Sequence, residues 1–290
     1  MLLSILKNKM IRLFLYILNA FLVSLFPLLV QGKGTESSFQ TVAFLRVKNE
    51  IKTIEACLNS IDGVFNRIVI IHSNEPDDGS VAVMQKWCGK RKNCEIHEYP
   101  YTVIPPHDKR YATNQFQREN SLASYYNFGL SFFKPHEWVV KIDGDQIYLT
   151  QTLKKTLAFI EQNHQIFEKT LFGIKGYNTY PYRGQIVKYR IEQNGGKDSF
   201  IVRRDKIKEF AQNSFYETLQ VQDIQNYHVF DEPHWFHFLK TLKHAGQVRS
   251  VDEAKANERV QLNKTEQDLF DQKIRPLLKE SNSPYADLIF

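Results

Sequence analysis

Trp138-Val139-Val140-Lys141-Ile142-Asp143-Gly144-Asp145 is the stretch on which the reading of this chain turns. The apolar run from Trp138 to Ile142 predicts a buried strand. Residues i and i+2 of an extended strand share a face, so Asp143 and Asp145 are expected to converge as the strand leaves its sheet. Gly144 between them would let a ligand approach the backbone closely. Two hard oxygen donors suit Mg²⁺ or Mn²⁺ held between protein and a diphosphate. In an open α/β sheet that carboxyl edge is also where ligands bind. An Asp-Gly-Asp triplet read alone is most often a solvated turn, so the weight falls on what precedes it.

Working outward, Thr41 to Val47 is a short apolar run with the look of a buried strand. Asn49-Glu50 then opens a helix with Ile51, Ile54, Leu58 and Ile61 at 3.6-residue spacing, stopped by Asp62-Gly63. Arg67 to Ile71 is a second strand, followed by the polar loop His72 to Ser80 and a helix through Val81, Met84 and Trp87. A strand around Cys94 to His97, a long loop over Pro100 to Gln117 and a helix from Glu119 to Phe133 complete the approach to Trp138. Strands alternating with helices predict a parallel sheet covered on both faces. The loops after the first two strands should then meet Asp143 and Asp145 at one edge, and that meeting of three loops argues for a nucleotide pocket. Beyond Lys154, strands are expected at Leu171–Lys175 and Ser199–Arg203, and an amphipathic helix at Thr265–Lys279.

With 290 residues, 42% hydrophobic and 24% charged, the chain can bury a full core and is not a disordered one. A net charge of +6 favours anionic partners such as nucleoside diphosphates, acidic glycolipids or an anionic membrane surface. The basic residues are scattered, with no zinc-finger spacing and no aromatic RNA-binding motif, so no nucleic-acid partner is expected. Cys57, Cys88 and Cys94 form an odd set, which predicts thiols in a reducing compartment.

Leu13 to Val30 is uncharged and strongly apolar, and Lys7, Lys9 and Arg12 precede it. Signal peptide, signal anchor and interfacial helix are all compatible with it. The reading taken is a membrane-associating segment over 1–30, with the catalytic domain on the cytoplasmic face of a bacterial inner membrane. Residues 31–40 read as a linker, and 41–290 as one domain with halves at 41–153 and 154–290.

Three segments carry a resemblance: Arg46-Val47-Lys48-Asn49-Glu50, Asn74 through Asp78-Gly79-Ser80, and Tyr126-Asn127-Phe128-Gly129 leading into Asp143-Gly144-Asp145. They resemble the inverting family 2 glycosyltransferases of the GT-A type, with their DxD motif. Ala43 to Glu50, Ser124 to Asn127, and Glu137 to Asp145 with Ile147-Tyr148 are more closely similar to bacterial β-1,4-N-acetylgalactosaminyltransferases of lipo-oligosaccharide synthesis. The resemblance implies an α/β GT-A fold: a mostly parallel central sheet with helices on both faces, here preceded by an N-terminal hydrophobic helix. It implies a metal-dependent inverting transfer, from a UDP-sugar such as UDP-N-acetylgalactosamine, to a surface glycolipid or oligosaccharide acceptor. Rival readings are the same fold using UDP-galactose or UDP-glucose, nucleotidyl transfer, and a non-catalytic membrane-tethered carbohydrate-binding protein.

By that resemblance Asp145 is the direct ligand of Mn²⁺ or Mg²⁺, and Asp143 meets ribose or a metal-bound water. A late histidine, His237, would complete the metal site. Arg46, Asn49, Glu50, Asn74, Asp78 and Asn127 would form the rest of the donor site, with Arg46 suited to bidentate phosphate contact. Asn74-Glu75 stands where relatives carry a uracil-reading Asp, and Tyr126 replaces a common Arg. The general base is expected at a helix start, where Asp231-Glu232-Pro233 fits, with Glu232 ahead of Asp231 and Asp198 behind both. An N-cap and a solvated first-turn residue are the competing reading of that pair. Trp235 is an acceptor platform or a core residue, and Tyr177, Tyr180 and Tyr182 lie in a loop suited to acceptor contact.

Overall fold

The structure, a computed structural model, describes residues 39–75, 77–105, 108–113, 115–182, 185–189, 199–213, 217–238 and 259–287. The apolar segment 1–30, most of the expected linker and Asp198 lie outside the described residues. Among the described residues no helix is long and apolar enough to cross a membrane.

Four strands form the parallel part of the sheet: β1 (Thr41–Val47), β2 (Arg67–Ser73), β3 (Cys94–Tyr99) and β4 (Trp138–Asp143). Their spatial order is β3-β2-β1-β4. Strand β1 is buried on both faces, as expected for a near-continuous apolar run in a covered parallel sheet. Side-chain alternation splits it cleanly. Ala43 and Leu45, with Ile68 and Ile70, meet Ile54, Leu58, Met84 and Trp87 from helices α1 (Ile54–Ser60) and α2 (Ser80–Cys88). Val42 and Phe44, with Val69 and Ile71, meet a second layer of helices, α3 (Lys109–Thr113) and α4 (Leu122–Leu130). Helices therefore cover both faces.

The second half adds antiparallel pairing. After β4 come β5 (Gln146–Tyr148), α5 (Thr150–Gln162), α6 (His164–Phe167), β6 (Thr170–Tyr182), β7 (Gln185–Tyr189) and β8 (Phe200–Arg203). A separate hairpin, β9 (Ile207–Gln212) with β10 (Glu217–Val221), packs on α4 through Phe210 and Leu219. The chain continues with β11 (Asn226–Phe238), β12 (Arg259–Gln261), α7 (Lys264–Leu269), a π-helical turn (Phe270–Ile274) and α8 (Arg275–Glu280). Strand β8 runs antiparallel to both β4 and β6, whereas β11 runs parallel to β6 and antiparallel to β5. The sheet is thus parallel across its first half and mixed beyond β4.

Three expectations are corrected. The helix expected from Asn49 begins only at Ile54, because Asn49 adopts φ 57°, a left-handed turn that asparagine tolerates. Asp231-Glu232-Pro233 is no helix start but part of β11. Period-two alternation wins there, with Phe236 and Phe238 in one core and Trp235 in another. Pro233 sits at a register shift, where a missing N–H is tolerated. The cysteines are not all thiols: Cys88 at the end of α2 and Cys94 at the start of β3 form a disulfide with Cα atoms 5.2 Å apart, and Cys57 is free and buried.

Candidate active site

Strand parity decides what Asp143 meets. Trp138, Val140 and Ile142 enter the core under α1 and α2, so Lys141 and Asp143 project to the α4 side. Arg46, on the same side of β1, is the cross-strand partner of Asp143. Lys141 Nζ donates to Asp143 Oδ2 at 2.9 Å, and an Arg46 terminal nitrogen lies 3.9 Å from Oδ1. Arg46 Nε donates to the hydroxyl of Tyr126 on α4 at 2.9 Å. Burial pushes the Asp143 carboxyl up, but Lys141 and Arg46 outweigh it and hold the group below its ordinary range. Its Oδ1 is buried without a hydrogen bond. Buried carboxylate oxygens are normally satisfied, so this acceptor is open to a bound group.

The chain turns at Gly144. A Cβ there would lie 3.0 Å from Glu50 Cγ and 3.3 Å from Ile54 Cδ1. The glycine thus lets the side chains of the first loop and α1 approach closely. Beyond the turn, Asp145 Oδ2 lies 3.2 Å from His237 Nε2, and His237 Nδ1 lies 2.9 Å from Asn178 Oδ1. Burial pushes the imidazole pKa down, and the Asp145 carboxylate reverses that, leaving it raised. Strand β11 reaches this position because Phe238 N–H donates to the Asp145 carbonyl at 2.8 Å. The two acids therefore sit at one rim but face different neighbours, Asp143 the α4 side and Asp145 the β11 side.

The loops after β1 and β2 are stitched together beside them. Lys48 Nζ bonds Glu75 Oε2 at 2.5 Å, and Val103 N–H donates to the other oxygen of Glu75. Ser80 Oγ accepts from Glu50 N–H at 2.7 Å and donates to Asp78 Oδ1 at 2.5 Å. Asp78 Oδ2 accepts from Ile51 N–H at 3.3 Å, and Asn74 Nδ2 donates to the Pro100 carbonyl at 2.8 Å. Val47, Lys48, Asn49, His72, Ser73 and Asp77 line a small cleft between these loops. Glu50 and Asp78 therefore shape the loops, while Lys48 is ion-paired rather than solvated.

Other expected site residues lie elsewhere. Asn127 uses both ends of its amide on the backbone of Phe210 in β9, at 2.8 and 2.7 Å. Trp235 is core, only 2% exposed, with its ring against Gly176. His234 is buried between Thr156 Oγ1 and the Glu232 carbonyl. Asp231 is fully exposed and faces Lys175 Nζ at 3.4 Å, and Glu232 is exposed beside it. Pro233, next to Glu232, pairs with Lys175, three residues before the Asn178 that pairs with His237, so at about 3.3 Å per residue Glu232 stands about 10 Å or more from His237 along the sheet. Tyr180 and Tyr182 belong to β6, where they pair with Val187 and Gln185, and Tyr177 packs on Phe236. Sequence reading missed Lys141, whose signal was a lysine inside an apolar strand, and Asn178, which carried none.

Asp143, Asp145 and His237 have the oxygen and imidazole donors that Mn²⁺ or Mg²⁺ accepts. Among the described residues no three His, Cys, Asp or Glu side chains are drawn together closely enough to hold an ion. The unfilled Oδ1 of Asp143 is the feature that fits one; Lys141, Arg46 and His237 meanwhile balance the acids.

Among curated proteins no sequence matches the chain. Solved structures similar to it include residues 1–349 of TarS from S. aureus, at 14% identity and TM-score 0.44, covering 85% of this chain and 81% of that one. Glucosyl-3-phosphoglycerate synthase from Mycobacterium tuberculosis, crystallised with Mn²⁺, UDP and phosphoglyceric acid, is 12% identical at TM-score 0.43, covering 75% and 77%. These distant similarities carry no part of the assignment. The profile of the β-1,4-N-acetylgalactosaminyltransferase (CgtA) family matches residues 7–274. The chain belongs to that family and is a glycosyltransferase.

Proposed function

We propose that the protein transfers N-acetylgalactosamine from UDP-N-acetylgalactosamine to a hydroxyl of a surface glycolipid or lipo-oligosaccharide, with inversion and with help from Mn²⁺ or Mg²⁺. The observation that carries the reading is the pair Asp143 and Asp145 at the carboxyl end of β4, beside the joined loops of β1 and β2. The family match supports the sugar and the β-linkage. A sugar activated as its α-linked UDP derivative gives a β product only if attack comes opposite the diphosphate.

Asp145 and His237, 3.2 Å apart, are the residues that would hold the cation, with Asp143 at the same rim. A divalent ion bound there neutralises charge on the departing diphosphate. Lys141 holds Asp143 in a single orientation, and Arg46, braced by Tyr126, presents a guanidinium beside it. That leaves two cations around one carboxylate, a local excess suited to a diphosphate. The nucleoside side would lie beside the loops after β1 and β2, which carry Asn49 and Asn74. Residues 13–30 would tether the enzyme to the cytoplasmic face of a membrane, which protease accessibility on vesicles tests.

Purified protein with Mn²⁺, offered UDP-N-acetylgalactosamine, UDP-galactose, UDP-glucose and UDP-N-acetylglucosamine, should release UDP fastest from the first. Faster release from UDP-galactose or UDP-glucose moves the assignment to that sugar. Release from none, with sugar binding retained, favours the carbohydrate-binding alternative.

A further inference from the structure

Asn178 has no role in the reading above, yet it is a primary amide at 5% exposure, opposite His237 in the parallel β6–β11 pair. Burying an amide costs free energy unless its polar atoms are bonded. Its Oδ1 lies 2.9 Å from His237 Nδ1, while the far nitrogen of the same ring lies 3.2 Å from Asp145 Oδ2. The ring is fixed along the backbone too: Thr179 Oγ1 donates to the His237 carbonyl at 2.9 Å, and Phe238 N–H donates to the Asp145 carbonyl. An imidazole rotates about its own bonds, and a backbone clamp does not set which nitrogen faces the rim. Asn178 does.

We propose that Asn178 is a positioning residue: it accepts the Nδ1–H of His237, so that Nε2 is the nitrogen directed at the rim beside Asp145. Histidines that ligate metals commonly donate their other nitrogen to an oxygen acceptor, which fixes both tautomer and ring orientation. The inference rests on the reading of Asp145 and His237 as cation ligands. Its parts are a buried amide on one strand, a ring on the next and a carboxylate at the turn.

The test is Mn²⁺ binding by the full chain with saturating UDP, read by electron paramagnetic resonance of free Mn²⁺, with a melting curve for every variant. Asn178→Leu and the smaller Asn178→Ser, which withdraws the acceptor, should weaken Mn²⁺ binding by about 10- to 100-fold. Asn178→Asp keeps an oxygen in place and should stay within about threefold of wild type, since carboxylates serve as such partners. In a His237→Ala background, Asn178→Ser should add nothing. Wild-type affinity in Asn178→Ser, an equal loss in Asn178→Asp, or a full further loss on top of His237→Ala each overturns the proposal. Failure of the wild-type protein to bind Mn²⁺ overturns instead the cation reading beneath it, and the positioning role falls with that reading.

Discussion

Burying the ammonium of Lys141 at 6% exposure costs solvation that only a close counter-charge returns, and Asp143 is that charge at 2.9 Å. Removing one partner of such a pair leaves the other uncompensated, at about 3 kcal/mol or more. Lys141→Met should therefore lower stability in urea by about 3 kcal/mol. It should also slow UDP release at least about tenfold, equivalent to about 1.4 kcal/mol of barrier. Glu232→Gln is the opposite case. An exposed side chain distant from the rim should leave UDP release near the wild-type rate, and a collapse of turnover there would restore Glu232 as the base.

His234 supplies a pH dependence whose sign follows from burial. Desolvation pushes it down to about 4 from an ordinary 6.5, so the folded protein keeps it neutral. Between those values the unfolded chain binds the proton and the folded chain does not. Its contribution is thus complete above pH 6.5 and is lost as pH falls toward 4, at most about 3 kcal/mol. Denaturation in urea at pH 7 and pH 4.5 should show a steeper loss for wild type than for His234→Gln.

Among the elements, the contact between β6 and β11 governs the rim, because β11 carries His237 and β6 carries Asn178. It depends on Gly176, where a Cβ would lie 2.2 Å from the Trp235 carbonyl oxygen and 2.3 Å from its ring. Gly176→Ala must push the strands apart, an overpacking cost of about 1–3 kcal/mol. It should weaken Mn²⁺ binding as well as stability, since His237 is only two residues beyond Trp235; stability loss with unchanged Mn²⁺ affinity would separate the strand from the site. Elements were unevenly legible in the sequence. The first four strands and the C-terminal amphipathic helix stood out because their apolar spacing matches one period. Strand β11 did not, because Asp231-Glu232-Pro233 imitates a helix start and only pairing with β5 and β6 overrides it.

For the whole molecule, a ligand that binds only the folded state stabilises it by about 2.7 kcal/mol at one hundred times its dissociation constant. For a chain of this size that is a rise of about 4 °C in melting temperature. UDP with Mn²⁺ should produce such a rise in the wild-type protein, and Asp145→Asn should abolish the Mn²⁺-dependent part of it. An unchanged Mn²⁺-dependent rise in Asp145→Asn would remove that residue from the site.

The order of strands and helices, the sheet edge where β4 ends and the gathering of loops beside Asp143 were written locally, in runs of apolar residues whose period a single segment carries. What those acids face was decided by tertiary structure. Parity along β4 turns Asp143 toward Lys141, Arg46 and Tyr126, while a distant strand brings His237 and, through β6, Asn178 to Asp145. Arg46 and Asp143 are 97 positions apart in the sequence, Asp145 and His237 are 92 apart, and Asn178 and His237 are 59 apart. No periodicity spans that distance; only the pairing of strands brings them together.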